Sequence, residues 1–179
     1  MEEEFLTVRQ LNSKIDMILE KMKYLEIKVN IKEVVDVKKY QGKLNGWSLE
    51  VYLKLFAFKL IPESVKKILY LDVDILSTKD VSSVFDLDIE NYLLGATYDI
   101  DMLGSNVYER KKILGISHDY FNAGVLLMNL KEQRKKWRVS DIDKLVCAVC
   151  CNYPTQDHLN ILCDENDIKF LPFRINFQT

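Results

Sequence analysis

The spacing of hydrophobic and polar residues predicts several elements in the first third of the chain. Apolar residues over 8–22 recur at the spacing of one helical face, and the alternation over 27–31 is typical of a half-buried strand. A second helix is predicted over 49–60, with Ser48 as its N-cap and Pro62 just past its end. Because this helix is apolar on most sides, we expect it to be well buried.

Three further apolar segments predict strands that are covered on both faces. They are KKILYLDVDIL (66–76), LLGATYD (93–99) and FNAGVLLMNL (121–130). We expect the first and third to be central strands, with side chains nearly inaccessible to solvent at Ile68, Leu69, Val125 and Leu127. Helices are predicted over 131–137, 140–152 and 156–166, before a last strand at 168–172. Strands that alternate with helices predict an α/β fold in one domain spanning 1–179, with a Rossmann-like, mixed but mostly parallel sheet flanked by helices.

Composition and charge narrow the classes of function. A length of 179 residues suits one domain with a substantial core, and a net charge of -2 gives no electrostatic footprint for nucleic acid. No apolar run is long enough to span a bilayer. The N-terminal residues are acidic where a secretory signal would be basic and then apolar, so we expect a cytoplasmic protein. The oligomeric state stays open, a homo-oligomer included.

The cysteines of the second half do not form a recognisable metal-binding pattern. There are four, at Cys147, Cys150, Cys151 and Cys163, and only His158 lies near them in sequence as a further ligand type. A zinc site would need a second ligand pair at suitable spacing. We therefore interpret the four side chains as buried or surface thiols in a reducing compartment.

Two aspartates follow the most apolar of the predicted strands. Asp72 and Asp74 flank Val73, and residues two apart in a strand point to the same side. Open α/β sheets bind ligands in the crevice beyond the carboxyl ends of their strands, where two carboxylates would suit Mn²⁺ or Mg²⁺. The alternative is that these acids are solvated turn residues without a ligand. A cation at this position would act as a Lewis acid and stabilise negative charge on a phosphate group of a ligand.

The sequence resembles glycosyltransferase family 8, the retaining transferases that include bacterial lipopolysaccharide galactosyltransferases and glycogenin. Three blocks carry the resemblance in the family's order, and together they cover roughly residues 47 to 177. KKILYLDVDIL resembles the strand with the family's D-x-D motif, and YFNAGVLLMNL is close to its N-A-G-V-L-L-x-N-L block. TQDHLNIL, from Thr155 to Leu162, resembles its D-Q-D-x-L-N block.

The resemblance implies a GT-A-like fold, a UDP-hexose donor, Mn²⁺ (or Mg²⁺), a glycan or lipopolysaccharide-type acceptor and retention at the anomeric carbon. By position, the metal ligands are Asp72 and Asp74, and Asp72 also lies near the nucleotide ribose. The residues implied beside the reacting sugars are Asp99 and Gln156. Glutamine is too weak a nucleophile for an ordinary double displacement, so the family favours departure and attack on one face. The rest of the implied donor-binding set is Lys54, Asn122, Ala123, Gly124 and Asp157.

Departures from the family pattern bear on activity. Thr155 replaces the first aspartate of D-Q-D. Lys54 stands where the family usually has arginine; lysine keeps the charge but lacks the forked donor geometry of a guanidinium group. Nothing in the N-terminal residues resembles the family's first strand and its A-x-D-x-x-Y loop, and the H-x-x-G-x-x-K-P-W segment is not in the sequence. In the family, the histidine of that segment completes the metal site and its lysine meets the diphosphate. Neither His118 nor His158 has a sequence context that could replace that histidine. We therefore expect a chain truncated at both ends, with turnover near background.

Two other interpretations remain beside an active or once-active hexosyltransferase. One is a non-catalytic remnant that acts as a binding or interaction domain and keeps the core of the fold. The other is a nucleotidyltransferase that uses the same acidic pair, which the Asn-Ala-Gly and Gln-Asp blocks disfavour.

Overall fold

The computed structural model describes residues 39–40, 49–100, 105–149 and 151–176. The helix predicted over 8–22, the strand over 27–31, the N-cap Ser48 and Cys150 lie outside these residues.

Four strands and six α-helices make up most of the described chain. The strands are β1 (Lys67–Leu71), β2 (Leu94–Tyr98), β3 (Phe121–Asn129) and β4 (Ile168–Phe170). The α-helices are α1 (Ala57–Leu60), α2 (Ser82–Phe85), α3 (Ser105–Leu114), α4 (Leu130–Lys136), α5 (Val139–Ala148) and α6 (Pro154–Leu162). 3-10 helices are found at Leu49–Phe56, Glu165–Asp167 and Phe173–Ile175. The predicted helix over 49–60 is thus a 3-10 helix that continues into α1.

The four strands form one mixed sheet in the order β1-β3-β2-β4. β3 pairs antiparallel with β1 on one side and with β2 on the other, and β2 pairs parallel with β4. The mixed α/β class is therefore confirmed. The expectation of a mostly parallel sheet is wrong for these strands, because two of their three pairings are antiparallel. Apolar content alone does not fix strand direction.

β3 is the central strand, as predicted, but β1 is not. Val125 and Leu127 are 2% and 0% exposed, whereas Ile68 and Leu69 are only partly buried. Among the described strands β1 lies at the edge of the sheet, and its last residue, Leu71, is 37% exposed. The prediction that β1 is central and nearly inaccessible is therefore wrong.

The sheet separates a large apolar cluster from a small one. Leu126 and Met128 of β3 point into the large cluster, where Phe56 of the 3-10 helix Leu49–Phe56 and Leu159 of α6 also pack. Leu127, between them in sequence, points to the opposite face and meets a small cluster with Ile89 and Leu171. This alternation is the two-residue period of a strand that is covered on both faces.

An irregularity in β3 lies next to the edge where ligands are expected. Ala96 pairs with Leu126, but Tyr98 pairs with Phe121, so residues 122–125 of β3 lie opposite Thr97 alone. Extra residues of this kind bend a strand and re-aim its side chains, and they are common beside active sites. The bulge contains the Asn-Ala-Gly sequence.

Helix α3 was not predicted, because its sequence, SNVYERKKIL, has no apolar stripe at helical spacing. None of the helices in the described part of the chain is long and apolar enough to cross a membrane. Arg134 of α4 connects that helix to α1 and the residues after it, because its guanidinium donates to the backbone carbonyls of Phe58, Ile61 and Val65 at 2.8, 3.0 and 2.8 Å.

Candidate active site

A cavity of about 460 Å³ opens beyond the end of β1. Its walls come from the 3-10 helix Leu49–Phe56, from the residues after β1, from the bulged part of β3 and from the start of α6. We call it the Asp72 cavity. The lining residues are Val51, Lys54, Tyr70, Asp72, Val73, Asp74, Ala123, Tyr153, Pro154, Thr155 and Gln156.

One oxygen of Asp72 is held by two donors. The Tyr70 hydroxyl donates to Oδ1 at 2.6 Å, and Lys54 Nζ donates to the same oxygen at 3.1 Å. Lys54 also donates to the carbonyl of Ala123 at 3.2 Å and lies 4.6 Å from the centre of the Tyr70 ring. Burial and the hydrogen bond to Asp72 raise the pKa of Tyr70, so its hydroxyl stays protonated and remains a donor.

Lys54 is a cation held in a largely dry environment. Its side chain is 9% exposed, and burial lowers the pKa of its ammonium group, although the charges of Asp72 and Asp74 oppose that shift. An ammonium group has three N–H donors, of which Asp72 and the Ala123 carbonyl accept two. The remaining N–H could therefore be offered to an anion in the cavity.

Asp74 reaches the same cavity by a turn rather than along a strand. β1 ends at Leu71, and the amide of Asp72 donates to the Gly124 carbonyl at 2.8 Å. The next residues turn, and the amide of Ile75 donates back to the Asp72 carbonyl at 3.2 Å. Val73 is fully exposed between the two acids. Both carboxylates thus line one cavity, although the sequence-based expectation placed them on a strand and β1 ends at Leu71, before Asp72.

Gln156 is fixed at both ends of its side-chain amide. Its Oε1 accepts from the amide of Ala123 at 2.9 Å, and its Nε2 donates to Asp99 Oδ2 at 2.6 Å. Asp99 does not line the cavity itself but reaches it through this contact. The structure therefore brings Asp99, Ala123 and Gln156 together beside the acidic pair.

Asn122 and Gly124 form a close contact at the bulge. Asn122 Oδ1 accepts from the amide of Gly124 at 2.7 Å and from Asn176 Nδ2 at 2.8 Å. A Cβ on Gly124 would lie 3.0 Å from Asn122 Oδ1 and 3.4 Å from Asp72 Oδ2. Only glycine leaves these two side chains undisturbed, which agrees with the close backbone approach expected there.

Thr155, which departs from the family's acidic residue, has a structural contact. Its hydroxyl donates to the carbonyl of Val51 at 2.7 Å, and the side chain is buried. This bond ties α6 to the 3-10 helix that carries Lys54, so Thr155 sets the spacing of two cavity walls.

Asp157 does not reach the Asp72 cavity, contrary to its assignment to the donor-binding set. Its carboxylate is 2% exposed and accepts from the Tyr120 hydroxyl at 2.5 Å and from the amide of Tyr153 at 3.0 Å. Arg110 Nε of α3 lies 4.0 Å away, and the Arg110 guanidinium lies 4.1 Å from the centre of the Tyr153 ring. Successive residues of a helix point about 100° apart, so Gln156 and Asp157 face different neighbours.

The two histidines and the cysteines that the structure describes do not line the Asp72 cavity. The ring nitrogens of His118 lie 2.8 and 2.9 Å from the carbonyl oxygens of Asp119 and Asn160. His158 contacts the Pro154 carbonyl and lies 3.5 Å from Cys151 Sγ.

The donor set suits a hard cation that shares its ligands with a substrate. In the described part of the chain, no group of three or more His, Cys, Asp or Glu side chains is placed to hold a metal ion. Asp72 and Asp74 nevertheless bring two carboxylates to one cavity. Mg²⁺ typically uses one or two carboxylates and takes its other ligands from water and substrate phosphates. The residues therefore fit such an ion only together with a phosphate ligand.

Several residues around the cavity were missed from the sequence. Tyr70 lies two residues before Asp72, so the same period that grouped the two aspartates could have found it. Asn176 lies outside the three blocks that carry the resemblance, and Arg110, which lines a different cavity beside Asp157, lies on the helix that was not predicted. Tyr153, which is 44% exposed and lines the cavity, had no pattern to mark it.

The chain is similar to known glycosyltransferases. The chain is 32% identical over 148 residues to a Haemophilus influenzae protein whose name assigns it to the glycosyltransferases, covering 79% of this chain and 43% of that protein. It is 27% identical over 136 residues to a lipopolysaccharide 1,2-glucosyltransferase of Escherichia coli, covering 73% of this chain and 39% of that protein. The chain thus spans about two-fifths of the length of these relatives.

A solved structure shares the fold. The galactosyltransferase LgtC, in complex with donor and acceptor sugar analogues, matches with a TM-score of 0.66 and 27% identity, over 78% of this chain and 51% of that one. The sheet and its flanking helices are thus those of a GT-A-like transferase. The family model for glycosyl transferase family 8 matches residues 2–179, a wider span than the resemblance over 47–177. The chain therefore belongs to glycosyltransferase family 8.

Proposed function

We propose that the Asp72 cavity binds the diphosphate of a UDP-hexose together with Mn²⁺ or Mg²⁺. We further propose that this site is that of a transferase that moves the hexose to a glycan or lipopolysaccharide-type acceptor with retention at the anomeric carbon, even though we expect turnover near background from this chain alone. The observation that carries the proposal is the convergence of two carboxylates, a buried ammonium group and a fixed glutamine amide on one cavity. The similarity to a lipopolysaccharide glucosyltransferase and to a galactosyltransferase supports the substrate class.

Asp72 and Asp74 are the residues that would hold the cation. When bound, such an ion acts as a Lewis acid that stabilises the negative charge of the departing diphosphate. Lys54 adds a second positive charge beside the acidic pair, and because its side chain is buried, its attraction for an anion is screened little by water. We assign Lys54 to the diphosphate for that reason.

Gln156 and Asp99 would orient the donor sugar. Both ends of the Gln156 amide are engaged in hydrogen bonds, so its position at the cavity wall is fixed before a substrate arrives. Fixed dipoles need little reorganisation during a reaction, which favours a positioning and electrostatic role over nucleophilic attack. Asn122, Ala123 and Gly124 would complete the wall beside the sugar.

The proposed transfer proceeds on one face of the sugar. The bond between the anomeric carbon and the diphosphate oxygen breaks, and the acceptor hydroxyl forms the new bond to that carbon from the same side. The proton of the acceptor hydroxyl passes to the leaving diphosphate oxygen, so charges and atoms balance.

Since nucleotide sugars are made in the cytoplasm, we propose that compartment for the reaction.

Isothermal titration calorimetry with UDP tests the binding part of the proposal. We expect UDP to bind in the presence of Mn²⁺ and to lose affinity when EDTA removes the metal. Asp74→Asn should weaken metal-dependent binding by at least about tenfold, because changing even a hydrogen-bonding partner of a metal ligand typically costs that much. Asp86→Asn changes an exposed acid outside the cavity and serves as the matched control.

The opposite results are as clear. Metal-independent UDP binding that Asp74→Asn leaves unchanged would remove the acidic pair from the site. Release or transfer of hexose from UDP-glucose or UDP-galactose, measured in parallel, separates a transferase from a binding module that has the same cavity.

A further inference from the structure

The carboxylate of Asp72 presents its two oxygens to different surroundings. Oδ1 accepts hydrogen bonds from the Tyr70 hydroxyl at 2.6 Å and from Lys54 Nζ at 3.1 Å. Oδ2 lies on the side of the β3 bulge, 3.4 Å from the position that a Cβ on Gly124 would take. A carboxylate oxygen has two lone-pair sites, so the two donors fill those of Oδ1.

We infer that Tyr70 is a positioning residue for the cation, because with Lys54 it occupies Oδ1 of Asp72 and leaves Oδ2 as the single oxygen that Asp72 offers. This inference rests on the proposed function and names how the acidic pair would bind its metal. Chelation through both oxygens of Asp72 would first have to displace a charge-assisted hydrogen bond, which is among the stronger kinds in proteins.

Tyr70 and Lys54 are themselves held in place. Lys54 donates to the Ala123 carbonyl at 3.2 Å, and its Nζ lies over the Tyr70 ring at 4.6 Å. The backbone before Asp72 is fixed by the pairing of β1 with β3, in which Tyr70 lies opposite Leu126. A partner with so little freedom fixes the plane of the carboxylate that it holds. Such outer partners of metal ligands tune affinity by setting the orientation of the ligand.

The test compares two tyrosine-to-phenylalanine changes in the full chain. Tyr70→Phe removes the hydroxyl that binds Asp72. Tyr92→Phe is the matched control, because Tyr92 is also partly buried beneath a lysine, with Lys169 Nζ 5.9 Å from its ring centre, but lines a different cavity. Circular dichroism and thermal melting without metal establish that both variants fold.

Electron paramagnetic resonance of free Mn²⁺, recorded in the presence of saturating UDP, gives the metal affinity without any turnover. We expect Tyr70→Phe to weaken Mn²⁺ binding by about tenfold, which is the smaller of the losses in metal affinity typical when a ligand's hydrogen-bonding partner is removed. Tyr92→Phe should leave Mn²⁺ binding unchanged. Metal-free UDP affinity, measured by calorimetry, should stay the same in Tyr70→Phe, which a general loss of structure would not allow.

Two results would overturn the inference in distinguishable ways. Mn²⁺ affinity in Tyr70→Phe equal to or higher than that of the parent chain would show that Tyr70 does not position the ligand, while the proposed function stands. Absence of UDP-linked Mn²⁺ binding in the parent chain would overturn the proposed function and this inference with it.

Discussion

Replacing Gly124 with alanine should damage the site through a single added methyl group. The new Cβ would lie 3.0 Å from Asn122 Oδ1, 3.4 Å from Asp72 Oδ2 and 3.7 Å from Asn176 Nδ2. Asn122 Oδ1 cannot retreat freely, because it accepts hydrogen bonds from the Gly124 amide and from Asn176. Overpacking of this kind typically costs about 1–3 kcal/mol. Since the contact is with side chains rather than backbone, we expect a loss near the lower end of that range.

The same methyl group should also weaken ligand binding. The strain falls on Asn122, which lies at the bulge beside the Asp72 cavity, while Asp72 Oδ2, at 3.4 Å, is in ordinary van der Waals contact with the methyl group. If about 1.4 kcal/mol of the strain opposes binding, metal-dependent UDP affinity falls about tenfold. Urea unfolding gives the stability of the variant, and calorimetry with UDP and Mn²⁺ gives its affinity.

Gly115→Ala provides the control for Gly124→Ala. Gly115 has a φ of 69°, and no atom lies within 4 Å of the position of an added Cβ. Alanine there should lower the free energy of unfolding by about 1–2 kcal/mol through backbone strain alone. UDP affinity should not change. If Gly124→Ala keeps parental UDP affinity, or loses no more affinity than Gly115→Ala does, the crowding at Asn122 has no role in binding.

Further predictions concern charge, pH and thiol reactivity. Arg134→Met should lower the free energy of unfolding by about 2 kcal/mol or more in urea titrations, because several backbone carbonyls lose a charged donor; parental stability would contradict this. Burial lowers the pKa of His158 from 6.5, so the unfolded chain takes up a proton first as the pH falls. Stability should therefore decline below about pH 6.5, and decline less in His158→Gln; equal slopes would exclude His158 as the cause. Mass spectrometry after brief iodoacetamide treatment should find exposed Cys147 alkylated before buried Cys163, whose pKa is raised by burial; the reverse order would contradict the burial assigned to them.

The parts of the fold that the sequence predicted are those with a strong apolar pattern. The segment from Phe121 to Asn129 is almost wholly buried, and it forms the central strand. Proline after the helix predicted over 49–60 marked an end that the structure has at Leu60, whereas the helix predicted over 156–166 ends earlier, at Leu162. Here local pattern and tertiary burial act in the same direction.

The exposure of β1 could not be predicted from its composition. The run from Ile68 to Leu71 is apolar throughout, yet it forms an edge of the described sheet and is only partly buried. Strand order depends on contacts between distant segments, which a local apolar run does not specify. Helix α3 was missed for the opposite reason, because a mostly polar helix on the surface lacks the stripe that identifies one.

The candidate site was predictable in its residues but less so in its geometry. Sequence resemblance brought Asp72, Asp74 and Gln156 together without regard to the turn after β1. Asp157 was included as part of the block that resembles D-Q-D, but neighbouring positions on a helix point in different directions, and its carboxylate accepts from Tyr120 outside the Asp72 cavity. A motif match alone does not specify which of its side chains face one cavity.

The most direct test of the central claim is the position of the metal itself. Crystals grown with UDP and Mn²⁺, measured at the manganese absorption edge, would locate the ion by anomalous scattering. We predict one peak in the Asp72 cavity at about 2.0–2.6 Å from oxygens of Asp72 and Asp74, with diphosphate oxygens of UDP among its other ligands. Ordered UDP in the cavity with no manganese near either aspartate, or manganese bound at another place on the chain, would contradict the account.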